Sequence, residues 1–150
     1  MQDAPENSLP TGALWEQLFT ADSVEDYLTA GAKEIGVPSF SAYIRRLCAQ
    51  RGEVPERVIV RAGIERSFGH SIFRGDRNPS RDTALQLAFG FCADVPLAQS
   101  ILRHAGHSQL YPRVPRDAAI AHCLFHRIGL TETQQVLWDL GLPLIGGAGK

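Results

Sequence analysis

The chain has 150 residues, 44% hydrophobic and 21% charged, with a net charge of −1. That length fits one domain able to bury about 70% of its unfolded surface, and the composition is that of an ordinary soluble globular protein. No apolar run approaches the roughly 18 residues of a membrane span, and the start MQDAPENS has no basic-then-apolar leader, so a membrane partner is excluded and a cytoplasmic location is expected.

The charge is segregated. Residues 1–39 hold seven acids and one lysine, a net of −6; residues 40–81 hold nine arginines against four acids, a net of +5; the remainder balances at 0. For binding a polyanion, where the charge sits matters more than the total.

In chain order, residues 1–12, with Pro5, Pro10 and Gly12, read as a flexible lead. From Ala13, the residues Leu14, Trp15, Leu18 and Phe19 form one apolar helical face. Asp22 followed by Glu25 marks a second helix start, and this helix carries Val24, Tyr27 and Leu28. Gly31, Gly36 and Pro38 then interrupt the pattern. Ser39 caps the next helix, in which Phe40, Tyr43, Ile44, Leu47 and Cys48 recur at helical spacing until Gly52 ends it.

A short helix over residues 55–62 begins with Pro55, whose missing amide hydrogen has no partner at a first helical position. Gly63 closes it as the left-handed residue past the end. A second helix over 66–74 is followed by a glycine turn at Gly75. Two helices joined through such a turn are a helix-turn-helix unit, whose second helix is built for a major groove.

Ser80 then caps a helix to about residue 92, and Asp94 caps one that ends at Gly106. Residues 107–115 are a loop, because Pro112 and Pro115 forbid helix or central strand. A helix from Pro115 carries Ile120, Leu124 and Ile128. Thr131 with Glu132 opens the last helix, and a frayed tail follows Ile145. No strand-like alternation appears, so the chain is expected to be all-α with roughly eight helices. A faint repeat at a spacing of 35 pairs Gln99 with Gln134, Ile101 with Val136, Leu102 with Leu137 and Gly106 with Gly141. Two copies fall short of a solenoid, and duplication and coincidence both stay open.

With Val58, Gly63, Ile64, Gly75 and Pro79 at their observed spacing, the stretch 40–102 resembles the lambda-repressor and Cro type of helix-turn-helix domain, the XRE-type class of bacterial and phage regulators. The string IFRGDRNPSRDTALQLAFGF, followed by LYPR and RDA segments, resembles a subgroup with extra C-terminal helices. The resemblance implies an all-α, lambda-repressor-like bundle. Its parts would be an acidic amphipathic helical arm (1–38), a DNA-binding domain (39–106), a helical extension packed on it (107–145) and a flexible tail (146–150).

It further implies a sequence-specific transcription regulator partnered by double-stranded DNA, binding as a homodimer to a two-fold operator. Arg66, Ser67, His70, Ser71 and Arg74 would then be the exposed, base-contacting positions. Arg57, Arg61, Arg77, Asn78 and Arg81 would follow the phosphates. The family's usual small residue in the first motif helix is Ile59 here, and its usual bulky residue in the recognition helix is Gly69, a swap that conserves volume. Phe68 either packs inward over Gly69 or offers its ring to a thymine methyl, with packing favoured.

Other constellations are weaker. His122 and His126 stand at i and i+4 beside Cys123, with His104 and His107 nearby, a spacing that metal sites use. No acid or cysteine completes a set, so structural or surface histidines are expected, with no metal and no cofactor. Cys48, Cys92 and Cys123 form no CxxC pair and read as buried helical thiols. Trp15 and Trp138 read as core or dimer-interface anchors. No nucleophile elbow, phosphate loop or paired-carboxylate pattern is present, so an enzyme is not expected. The competing reading is a helical protein–protein adaptor that keeps the fold without DNA, its partner met through the acidic arm or the C-terminal helices. A third reading has the acidic arm fold over the basic face and compete with phosphate.

Overall fold

The computed structural model describes residues 11–31 and 39–146, and the chain divides after Pro38 into two compact units. The described residues form nine helices and no strand, and each helix answers to one read along the sequence. None of these helices is long and apolar enough to cross a membrane.

In the first unit, α1 (Thr11–Thr20) is followed by α2 (Val24–Ala30). Ser23, not Asp22, caps α2: its extended backbone lets Oγ accept the Asp26 amide at 3.0 Å, and Asp22 lies one residue too early to do so. Trp15 stacks on Phe19 with ring centroids 5.3 Å apart, yet both rings are exposed, so Trp15 is not a core residue of the described chain. The expectations for the lead up to Pro10, and for Gly36 and Pro38, fall outside the described residues.

The second unit holds α3 (Phe40–Arg51), α4 (Pro55–Arg61), α5 (Arg66–Arg74), α6 (Arg81–Gly90), α7 (Val95–His104), α8 (Pro115–Phe125) and α9 (Leu130–Asp139). Ser39, Ser80 and Asp94 cap α3, α6 and α7 by accepting the amides of Ala42, Thr83 and Leu97. All seven helices end alike. A left-handed residue follows the helix, and the next amide returns to the carbonyl five residues back, as in Ile64 to Ile59 (3.3 Å) and Leu142 to Leu137 (2.9 Å). Glycine takes the left-handed place at positions 52, 63, 75, 106 and 141, while Cys92 and Arg127 take it after α6 and α8.

Helix α6 therefore stops at Gly90, and Cys92 is an exposed thiol outside it rather than a buried helical one. Cys48 and Cys123 are buried, and burial pushes the Cys48 thiol up to about 11. Helix α9 opens one residue before Thr131, with Gly129 in the cap position.

The core runs through α3 to α9 around Ile44, Val58, Ile59, Ile72, Leu85, Phe91, Ile101, Ile120 and Leu137, all essentially inaccessible. Tyr43 docks α3 on α7: its hydroxyl lies 2.8 Å from Ser100 Oγ, and its ring stacks on His104 with centroids 3.8 Å apart.

The faint repeat proves to be a repeat of structure. Helices α6–α7 with their return loop, and α8–α9 with theirs, match at a spacing of 35 in backbone and in bonding. Gln99 donates to Leu110 O (3.0 Å) and accepts from Leu110 N (2.7 Å); Gln134 does the same with Ile145 (2.7 and 2.8 Å). The left-handed Cys92 matches Arg127, and Gly106 matches Gly141. Each copy opens with an Arg-Asp pair, and the two pairs cross. Arg81 binds Asp117 of the other copy, and Arg116 binds Asp82. Arg81 and Asp117 together hold the first return loop, through Ser108 O, Gln109 O and Tyr111 N. Arg116 and Asp82 hold the second, through Pro143 O, Leu144 O and Gly146 N. Gly146 is thus bound in place and does not begin a tail; the tail beyond it lies outside the described residues.

The copies differ where one is covered and the other is not. Gly90 lies against Val58 of α4 and Ala62 just past its end, and its counterpart Phe125 is exposed. Buried Leu87, Phe91 and Leu97 correspond to exposed His122, His126 and Glu132. The α8 histidines thereby belong to a solvated face, and Trp138 at 70% exposure is no core anchor.

Candidate nucleic-acid interface

Helix α4 starts with Pro55 at its first position and packs Val58 and Ile59 inward. Its end at Ala62, followed by Gly63 at φ +68°, reverses the chain into α5. The glutamate Glu65 caps α5 by accepting the Ser67 and Phe68 amides at 3.0 and 2.9 Å. Those two amides hold its carboxyl below the usual range. No spacing singled Glu65 out, because the usual residues at a helix cap are serine, threonine, aspartate and asparagine rather than glutamate.

The two helices fit as the Ile59/Gly69 swap requires. A Cβ at Gly69 would lie 2.6 Å from Ile59 Cγ2, so the isoleucine occupies the space a side chain would need. Phe68 is half-buried and packs against the core, as favoured, and also lines an open cavity of about 550 Å³ with Ile64 and Gln86.

Helix α5 buries Gly69, Ser71, Ile72 and Phe73 and turns Arg66, Ser67 and Arg74 to solvent, with His70 half-buried. Ser71 departs from its expected exposed place. It sits with the packed residues, and its hydroxyl donates to Phe68 O at 2.6 Å, so a polar residue satisfies itself within its own helix. Arg74 pairs with Asp76 at 2.9 Å.

Glu56, on α4, joins two members of the set. It accepts from Arg66 Nε at 3.1 and 3.2 Å and meets His70 Nε2 at 2.7 Å. The His70 hydrogen bond, supported by Arg66, holds the Glu56 carboxyl below its ordinary value although burial pushes it up. No local pattern reveals Glu56, because its partners lie across the turn.

Of the flanking residues, Arg57, Arg77 and Asn78 are exposed and form no ion pair among the described residues. Arg61 is tied to Glu53 (2.7 Å) and to Gly90 O (2.8 Å). Arg81 is spent on Asp117 and the first return loop, which leaves it as part of the scaffold rather than along the phosphates. His107 donates to Pro79 O at 2.8 Å and so ties the turn after α5 to the same loop. The surviving cluster is Arg57, Arg66, Ser67, His70, Arg74, Arg77 and Asn78, all within the segment of net charge +5.

The chain matches no protein-family model, no curated protein and no solved structure.

Proposed function

We propose that α4, the turn at Gly63 and α5 are a lambda-repressor-like helix-turn-helix, and that the protein is a sequence-specific, DNA-binding transcription regulator. The observation that carries this reading is the two-sidedness of α5. One side is locked into the core by Gly69, Ile72 and Phe73, while the other offers Arg66, Ser67, His70 and Arg74. Arginine and histidine donors on an exposed helix suit base edges in a major groove, and Arg57 and Arg77 suit the flanking phosphates. Binding as a homodimer to paired half-sites follows from the same reading.

Selection of duplexes from a random pool tests it. Enrichment of a defined sequence, lost in an Arg66→Ala/Arg74→Ala double variant, is the expected result. A pool left without enrichment by the unaltered protein overturns it.

One observation favours a second reading, a helical adaptor that does not use DNA. Arg66, His70 and Arg74 are each engaged by Glu56 or Asp76 within the protein itself. Under that reading the double variant retains its protein partner and no duplex is enriched.

A further inference from the structure

An acid in the middle of a DNA-facing surface needs an explanation. Glu56 repels phosphate, and its pair with Arg66 is an exposed one, with the arginine side chain 76% accessible. Such pairs add little to stability, so folding does not account for it.

Its geometry offers another role. Both Glu56 oxygens take the Arg66 Nε edge, at 3.1 and 3.2 Å. The terminal Nη1/Nη2 edge stays without a hydrogen bond among the described residues. Two parallel donors on that edge match O6 and N7 of guanine. Arg66 is the first residue of α5, the end of a recognition helix that approaches base edges. A long arginine held in advance loses less rotamer freedom on binding, and the same carboxylate holds His70 one turn further on.

We propose that Glu56 is a positioning residue that determines specificity: it braces Arg66 so that α5 reads a guanine opposite its N-terminus. This rests on the DNA-binding reading above. The carboxylate weakens attraction to DNA in general and raises discrimination at one base pair.

The test compares unaltered protein, Arg66→Ala and Glu56→Ala on the selected duplex, on the same duplex with each guanine replaced, and on random duplex. Arg66→Ala is expected to lose a guanine preference of roughly tenfold or more at one position of each site. Glu56→Ala, which removes the acceptor and its charge, is expected to lose most of that same preference while binding random duplex more tightly, with an unchanged melting temperature. Glu56→Ala that binds but keeps the full preference overturns the bracing and leaves the DNA reading standing. Unaltered protein that binds no duplex removes both. A readout without DNA is the exchange rate of the Arg66 Nε proton. It should be slower than that of Arg57 in the unaltered protein and match it in Glu56→Ala; equal rates in the unaltered protein overturn the bracing.

Discussion

Single residues decide how α5 is aimed. Gly69→Ala would gain about 1 kcal/mol of helix propensity. Its Cβ would however be 2.6 Å from Ile59 Cγ2 and 2.8 Å from Cγ1, where overpacking costs about 1–3 kcal/mol. We expect Gly69→Ala to be destabilised, and the double variant with Ile59→Ala to be more stable than the sum of the single changes. A double-mutant cycle in urea measures that coupling; additive effects would show that the two residues do not share one space. Cys92 offers the opposite experiment. It holds φ +53° with its side chain exposed, so Cys92→Gly should be neutral or stabilising by up to about 1 kcal/mol, whereas Cys92→Val should be destabilised.

At the scale of elements, the crossed Arg-Asp pairs join the two helical hairpins. Asp117 is 6% accessible and accepts from Arg81 and from the Tyr111 amide, so Asp117→Ala leaves a backbone donor and the half-buried Arg81 guanidinium without their shared acceptor. A loss of about 1–3 kcal/mol is expected in thermal or chemical unfolding, with a smaller loss for the more accessible Asp82→Ala. Burial pushes the Asp82 carboxyl up, yet Arg116 and the Gly146 amide outweigh it and leave the group below its ordinary value. A depressed folded value means that its contribution is complete above the unfolded pKa of about 3.9 and is lost as pH falls through the folded one. Asp82→Asn should therefore flatten the acid limb of stability against pH, and an unchanged limb would deny Asp82 that role.

The punctuation of these elements was legible in the sequence. Ser39, Ser80 and Asp94 are caps, and Gly52, Gly63 and Gly75 are left-handed turns, each a local chemical requirement. The clasp was not legible, because Arg81 meets Asp117 only once the helices are folded. The repeat looked faint for a related reason. Gln99 and Gln134 bind the backbone of Leu110 and Ile145, and backbone bonds survive the loss of side-chain identity. Ser71 was misleading because a serine that bonds its own helix is buried at no polar cost. Cys92 and Arg127 end helices where glycine is the usual signal, which made α6 and α8 look longer than they are.

At the scale of the whole molecule, the basic segment spans α3 to α5 of the second, all-α unit. The α6–α9 repeat fixes the loop to which Pro79 is tied, and thereby the turn that follows α5, while Arg57 and Arg77 remain available. Titration of the selected duplex at about 50 and 200 mM salt asks whether this face meets phosphate. Arg57 and Arg77 in both halves of a dimer make four phosphate contacts, which predict a loss of affinity of about a hundredfold between the two, with Arg77→Ala lowering the slope of log affinity against log salt by about two. Affinity that does not change with salt would contradict the account.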